Sequence, residues 1–325
     1  MKLLYVGDTH IRGTNPRNRT DSYKDALKSK LHEIHNIAAN NGVQAILCAG
    51  DIFDKPEVSA GVLLEFADVF ADSPVPWYTT PGNHDLYSYN LATYNRTSLA
   101  LLERIVPNFH VLKDPTQGVQ FLVQGGGVVE ITFTPYTSKI DKDGYGYSPE
   151  TRTPIDWFKI HVAHGMLLDH VPPFDRYSLV QNVETTADLV LTGHDHTGYG
   201  IYRRADGKTF VNCGSLTRLS ASVAEIERTI QVLLIDVQPN KKYDLQLIPL
   251  ETAKPGVEIL DRTKIEAEKK RQYAMEGFAA AIQTEDGAAV VDIEGVMNQI
   301  AAQEAIKPSV VKLALEKIHD ARLRL

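Results

Sequence analysis

Residues 2–10 read KLLYVGDTH: an apolar run, Leu3-Leu4-Tyr5-Val6, stops at Gly7 and delivers Asp8-Thr9-His10. A compact apolar run closed by glycine reads as a buried strand. Ligands of open α/β sheets bind outside the carboxyl ends of the strands, and this strand ends in a carboxylate and an imidazole. The same arrangement recurs four times. A strand over 44–50 ends in Gly50-Asp51-Ile52-Phe53-Asp54, and one over 76–80 leads to Gly82-Asn83-His84-Asp85. A strand over 159–163 gives His164-Gly165, and one over 189–192 gives Gly193-His194-Asp195-His196.

Helical periods separate the first three strands. Tyr23, Ala26, Leu27, Leu31, Ile34 and Ala38 share one helical face over 21–41, which Asn41-Gly42 terminates. Val62, Leu63, Phe66 and Phe70 do the same over 57–71. Strand, helix, strand, helix, strand predicts parallel pairing in an α/β fold. Further strands are expected over 208–212, 229–237 and 245–250. After Glu251 the texture becomes helical. Stripes fall at Met275, Phe278, Ala279 and Ile282, then at Ile293, Val296, Met297, Ile300 and Ala301, then at Val311, Ala314, Leu315 and Ile318 behind Pro308-Ser309. The expected organisation is an α/β domain over 1–251 and a helical region over 252–325. A region that short is expected to bury its stripes on the first domain, a second copy or a partner.

Composition narrows the function. The chain has 325 residues and a balance of 34 Lys and Arg against 41 Asp and Glu, a net charge of −7. A general coat for polyanions is excluded, so contact with nucleic acid would need a local site. No apolar run reaches the roughly 18 residues that span a bilayer, and the run before Asp8 is too short for a signal peptide. Two cysteines, Cys48 and Cys213, cannot frame a disulfide scaffold, so a cytoplasmic location is expected. Cys48 reads as a small buried hydrophobe and Cys213 as structural.

The strand-end clusters supply carboxylates, one carboxamide and several imidazoles. Oxygen donors suit hard divalent ions and imidazole suits Mn, Fe, Zn or Ni. The supply exceeds what one ion needs, so two ions are the economical reading. His32 and His35 lie in the first helix and read as surface or half-buried residues outside the chemistry, as do His110 and His319; His170, after a loop, reads the same way, with contact to substrate as its alternative. His161 precedes His164 on the same strand and reads as a core residue or a support behind the ligands.

The series Asp8-x-His10, Gly50-Asp51-x-x-Asp54, Gly82-Asn83-His84-Asp85, His164-Gly165 and Gly193-His194-x-His196 resembles the calcineurin-like metallophosphoesterases. Within them, Asp8-Thr9-His10 with Arg17-Asn18-Arg19 and Asp21, and Gly50-Asp51-Ile52-Phe53-Asp54, look most like the SbcD-type DNA double-strand-break repair nucleases of bacteria or phage. The resemblance implies a four-layer α-β-β-α sandwich and two divalent ions, most often Mn in that branch, with Fe, Mg or Zn as alternatives. It places Asp8, His10 and His196 on one ion, Asn83, His164 and His194 on the other, and Asp51 on both. His84 would face the scissile phosphate as the catalytic acid, with Asp54 or Asp85 orienting a neighbouring imidazole. Paired cations at such a site lower the pKa of water towards neutrality and neutralise phosphate oxygens as charge builds.

The expected activity is therefore phosphodiester hydrolysis by metal-bridged hydroxide, on DNA, as an exo- or endonuclease of repair or recombination. Arg12, Arg17, Arg19 and Arg218 are the expected substrate contacts, with Arg203 and Arg204 as further basic residues. An ATPase of the SbcC type and a second copy of the chain are the expected partners, gripped by the C-terminal helices. Two alternatives remain: a stand-alone phosphodiesterase or phosphatase on nucleotides or small esters, and a non-catalytic scaffold. The tail reads as short and almost purely helical where the repair nucleases usually carry a mixed α/β cap, and Cys213 stands where the superfamily often has Pro.

Overall fold

A computed structural model describes residues 1–263, 298, 301 and 308–322. The chain divides into two units, Met1–Asp261 and Arg262–Leu325. The first is a mixed α/β sandwich of two six-stranded sheets.

The first sheet is built on β1 (Lys2–Val6), β2 (Ile46–Cys48), β3 (Trp77–Thr79) and β4 (Phe109–Val111), all parallel. Antiparallel β13 (Gln231–Val237) and β14 (Tyr243–Pro249) extend it beyond β1. The crossovers run through α1 (Tyr23–Asn41), α2 (Ala60–Ala71) and α3 (Ser98–Ile105). Each starts on a hydroxyl cap: Ser22, Ser59 and Thr97 accept from the backbone three residues on. Gly42, with φ of 64°, closes α1 by donating to the carbonyls of Ala38 and Ala39.

The second sheet runs in the order β11 (Gly200–Arg203), β12 (Thr209–Asn212), β10 (Leu189–Gly193), β7 (Phe158–His164), β6 (Val128–Thr134) and β5 (Gly118–Leu122). Its four central strands are parallel. A small parallel pair, β8 (Leu167–Leu168) and β9 (Ser178–Leu179), lies between β7 and β10 in sequence.

Alternation along β1 shows how the layers form. Leu4 and Val6 join the core shared with α1, α2 and α3. Leu3 and Tyr5 point the other way and pack with Ile131, Phe133, Ile160, Val162, Leu189 and Leu191 of the second sheet. The Tyr5 hydroxyl donates to the Thr192 carbonyl at 2.6 Å, tying the sheets together. The far face of the second sheet is covered by Ile140, Tyr147, Leu167, Val180 and Val183. Between β6 and β10 the chain forms β7, loops and the short pair β8–β9, with no helix.

The first unit extends past the expected boundary near residue 252. A short helix, α4 (Val223–Glu227), precedes β13, and another, α5 (Gly256–Ile259), follows β14. The Thr20 amide donates to the Ile259 carbonyl and the Asp261 amide to the Asn18 carbonyl, which hold α5 onto the loop after β1. In the second unit, the third C-terminal pattern forms α6 (Pro308–Arg322), which contains His319. The first two patterns lie outside the described residues, except for Ala301 at the end of the second, which is helical. No helix among the described residues is long and apolar enough to cross a membrane.

Candidate metal centre

The carboxyl ends of β1, β2 and β3 in one sheet, and of β7 and β10 in the other, meet at one edge of the sandwich. They bring Asp8, His10, Asp51, Asn83, His164, His194 and His196 together. Donor atoms of Asp8, His10, Asp51 and His196 lie within 4.8 Å of one another, and so do those of Asp51, His164 and His194. Asp51 belongs to both groups.

The detailed contacts are those of electron-rich atoms facing each other. His10 Nε2 lies 2.9 Å from His196 Nε2. His164 Nε2 lies 2.9 Å from Asn83 Oδ1 and 3.3 Å from Asp51 Oδ2. The other ring nitrogen of His164, Nδ1, donates to the Ala49 carbonyl at 2.9 Å, because a carbonyl can only accept. That fixes Nε2 as the nitrogen turned to the site. Asp8 Oδ2 accepts from the His194 amide at 2.9 Å, and Asp51 Oδ1 from the His84 amide at 2.8 Å. Asp8 Oδ1, Asp51 Oδ2 and His10 Nδ1 are buried with no hydrogen-bond partner. Buried polar atoms left this way are costly unless an ion or water completes them.

Burial and mutual charge set the protonation of the cluster. Burial pushes the Asp8 carboxyl up to about 7, with the His164 imidazole opposing. Burial also opposes ionisation of Asp51, but His164, His10 and His84 around it hold its carboxyl well below the usual range. His164 is desolvated too, yet Asp51 and Asp8 raise it to about 9. Burial lowers His194 to about 3, His196 to about 4, and His10 well below the ordinary imidazole value. Neutral His10, His194 and His196 beside ionised Asp51 are in the protonation states that bind metal, whereas an ion taking His164 would displace the proton that Asp51 and Asp8 favour there.

The backbone carries strain here. His10, Asp51 and His194 have φ of 46°, 49° and 77°, the left-handed region that non-glycine residues avoid. Each lies in the bend that follows its strand.

His84 is half-buried beside the cluster, its ring 4.9 Å from that of His10 in an edge-on arrangement. Its Nδ1 donates to the backbone carbonyl of Asp54 at 3.0 Å. Asp54 therefore orients His84 through its main chain. Its carboxylate lies 3.8 Å from His10 Nδ1 and pairs with Arg12 at 3.2 Å. Asp85 does something other than orient an imidazole. Fully buried, it accepts from the amides of Phe53, Gly82 and Ile52 at 2.9, 2.9 and 3.3 Å. It locks the Asp51 and Asn83 loops to each other.

Two expected substrate contacts are corrected. Arg19 is buried, gripping both carboxylate oxygens of Asp21 and stacking over Tyr23 at 5.1 Å. Arg218 is buried and donates to the carbonyls of Glu225, Arg228 and Lys254 at 2.6, 2.7 and 3.1 Å. Arg19 is spent on a neighbouring carboxylate and Arg218 on loop backbone, which is why they cannot also meet a substrate. Arg204 is used similarly, on the carbonyls of Val180 and Val183 and on Asp206. Arg12 is half-exposed next to Asp54, and Arg17 and Arg203 are exposed.

His161, His35, His110, His170 and the two cysteines lie outside the cluster. His161 is fully buried between Thr132 and Thr134, with Nε2 3.0 Å from the Gly146 carbonyl. His35 packs on Trp77, His110 stacks on Tyr78, and exposed His170 pairs with Asp169. Cys48 and Cys213 are buried free thiols, and burial pushes Cys213 up to about 12.

Comparison with known proteins decides the family. The model of the calcineurin-like phosphoesterases matches residues 1–198. The chain belongs to that family. The phosphoesterase is 28% identical over 111 residues to the DNA double-strand break repair protein Mre11 of Aeropyrum pernix, which is 33% of this chain and 26% of the relative. The matched stretch thus spans about a quarter of that relative's length. Among solved structures, GAP50, the anchor in the inner membrane complex of Plasmodium, aligns with a TM-score of 0.50 and 14% identity, over 78% of this phosphoesterase and 85% of that chain. The TT1561 protein of Thermus thermophilus aligns with a TM-score of 0.42 and 13% identity, over 76% and 98%.

Sequence reasoning missed Tyr136. Its ring lies 5.8 Å from that of His194 and 6.2 Å from that of His164. No motif marks it; the only signal is its place directly after β6, a strand whose carboxyl end reaches the same edge.

Proposed function

We propose that this phosphoesterase is a two-metal phosphodiesterase that cleaves DNA as an exo- or endonuclease of repair or recombination. The observation that carries the reading is the double donor cluster sharing Asp51, with His84 beside it and buried donor atoms left unpartnered. The donor set fits divalent ions of the manganese kind: two carboxylates, one amide oxygen and four imidazoles. Asp8, His10, Asp51 and His196 would hold one ion, and Asp51, Asn83, His164 and His194 the other. When bound, such ions supply Lewis acidity to a phosphoryl group and ready a water for attack at neutral pH.

The chain's own residues do the rest. The Ala49 carbonyl and the His194 and His84 amides fix the ligand side chains before substrate arrives. His84 moves the proton. In its doubly protonated form His84 keeps the Nδ1 proton on the Asp54 carbonyl and hands the Nε2 proton to the leaving oxygen, ending as the neutral Nδ1–H imidazole. Arg12, held beside the site by Asp54, is the cation placed to meet a phosphate.

DNA as substrate is supported by the short match to Mre11 and by the spelling of the first two motifs. The ATPase partner and the homodimer belong to the same proposal, supported by the apolar stripes of the C-terminal sequence. A second reading, a phosphodiesterase on nucleotides or small esters, is favoured by the burial of Arg19 and Arg218, which removes two cations from the surface that duplex DNA would meet.

The test is turnover with manganese of plasmid, single-stranded and hairpin DNA beside bis-p-nitrophenyl phosphate. Cleavage of DNA supports the first reading; cleavage of the small ester alone supports the second. His84→Ala is expected to keep its metal by elemental analysis while losing about 10²–10⁴-fold in turnover. Loss of both ions in that variant would contradict the role given to His84.

A further inference from the structure

We infer that Tyr136 and Tyr89, braced by Arg176, form a stacking platform for one unpaired nucleobase of the substrate, next to the phosphate-binding edge. The inference rests on the phosphodiesterase reading and names the part of the substrate that the metal cluster does not read.

Tyr136 follows β6 and is half-buried, its ring near those of His194 and His164. Its amide donates to the Pro81 carbonyl at 2.9 Å, fastening it to the loop that carries Asn83 and His84. Arg176 lies with its guanidinium carbon 5.6 Å from the centre of the Tyr136 ring. One terminal nitrogen of Arg176 donates to the Thr137 and Ile140 carbonyls, both at 3.1 Å. The arginine thus holds the ring and the segment after it in place.

Tyr89 comes from a third direction, five positions after His84. It is 60% exposed, and its ring meets that of Tyr136 at 6.1 Å and 65°. Ser88 and Tyr89 have φ of 49° and 58°. Two successive non-glycine residues in the left-handed region cost stability, yet the outcome is a large aromatic ring presented to solvent. Burial does not explain that conformation. A ligand with a flat π face does. Bases stack on tyrosine irrespective of sequence, and an arginine over the ring adds a cation for the adjoining backbone. A base stacked between neighbours inside a duplex offers no free face, so the platform selects strand ends, flipped nucleotides or free nucleotides.

The test has a binding arm and a kinetic arm. In the first, a short single-stranded oligonucleotide carrying 2-aminopurine is titrated with the full chain in calcium. Stacking should quench the fluorophore. Tyr89→Ala and Tyr136→Ala should abolish the quench, Tyr136→Phe should keep it, and circular dichroism should show each variant folded. In the second, turnover is compared on the p-nitrophenyl ester of thymidine 5′-monophosphate, on the oligonucleotide, and on methyl p-nitrophenyl phosphate. Tyr89→Ala should raise KM about tenfold on substrates bearing a base, with kcat little changed and methyl p-nitrophenyl phosphate unaffected. An effect on the oligonucleotide but not on the thymidine ester assigns the platform to nucleic acid; an effect on both includes nucleotides. Absence of quenching by the unsubstituted protein, or an equal effect on all three esters, would overturn the platform. Quenching without hydrolysis of any diester would instead remove the phosphodiesterase reading and leave the platform standing.

Discussion

His161 and His164 share β7, and three positions separate a core residue from a metal-site residue. The difference lies in what surrounds each ring. His161 is enclosed by hydroxyls of Thr132 and Thr134 and the Gly146 carbonyl, with no carboxylate to favour its cation. Burial therefore lowers it to about 4, whereas Asp51 raises His164. Since the unfolded imidazole titrates near 6.5, the unfolded chain binds the extra proton between these values. The stabilising contribution is complete above about pH 6.5 and is lost as pH falls towards 4. Its size is about 3 kcal/mol, and His35, lowered to about 4, acts in the same window. Urea midpoints between pH 7 and pH 4.5 should fall steeply in the unsubstituted protein and less steeply in His161→Gln. Equal slopes would show that His161 does not titrate on unfolding. At this scale the sequence was informative about residue type but not about environment. It marked Asp85 beside His84 and suggested an orienting carboxylate, because adjacency is visible and the amides of Phe53 and Gly82 are not. It could not separate Arg12, at the site, from Arg19, which is turned into the loop by Asp21.

Among the elements, the glycines at the strand ends matter as much as the ligands. A methyl group at Gly82 would lie 2.1 Å from Asp51 Oδ1 and 2.4 Å from the Asp51 amide. Gly193 is as tight, with Asp8 Oδ1 2.3 Å away. The strand ends approach so closely that only hydrogen fits, which is why these motifs carry glycine before their ligands. Gly82→Ala should displace Asp51 and reduce bound metal below two ions per chain by elemental analysis, with activity lost in step. Full occupancy would show that the loops have more slack than their spacing implies. Arg218 works at this scale too. Arg218→Ala leaves three carbonyls without their donor and should cost about 3 kcal/mol, read as a lower melting temperature, with KM for bis-p-nitrophenyl phosphate unchanged. A raised KM at unchanged stability would return Arg218 to the substrate surface. Strands with short apolar runs between glycines were legible. The β5–β6 hairpin was not: β5 is an edge strand with no fully buried residue, and its turn, Gly125-Gly126-Gly127, breaks the period.

For the molecule's first unit as a whole, two sheets stand face to face so that loops distant in sequence converge at one edge. Asp8 and His194 are joined by a hydrogen bond across 186 positions, and His164 reaches the Ala49 carbonyl across 115. Such closures need the sandwich to be fully formed, so the site is a property of the fold and not of any segment. The order of motifs was readable because each lies at a strand end. The bends at His10, Asp51 and His194 were not, because Asp and His tolerate left-handed backbone better than most residues without marking where it occurs. The central claim is that this edge holds two divalent ions through a shared Asp51. Anomalous scattering from a crystal soaked in manganese tests it most directly. The account predicts two peaks, one bonded by Asp8, His10, Asp51 and His196 and the other by Asp51, Asn83, His164 and His194. A soaked crystal with no peak there, or with a single ion that leaves Asp51 unshared, would contradict it.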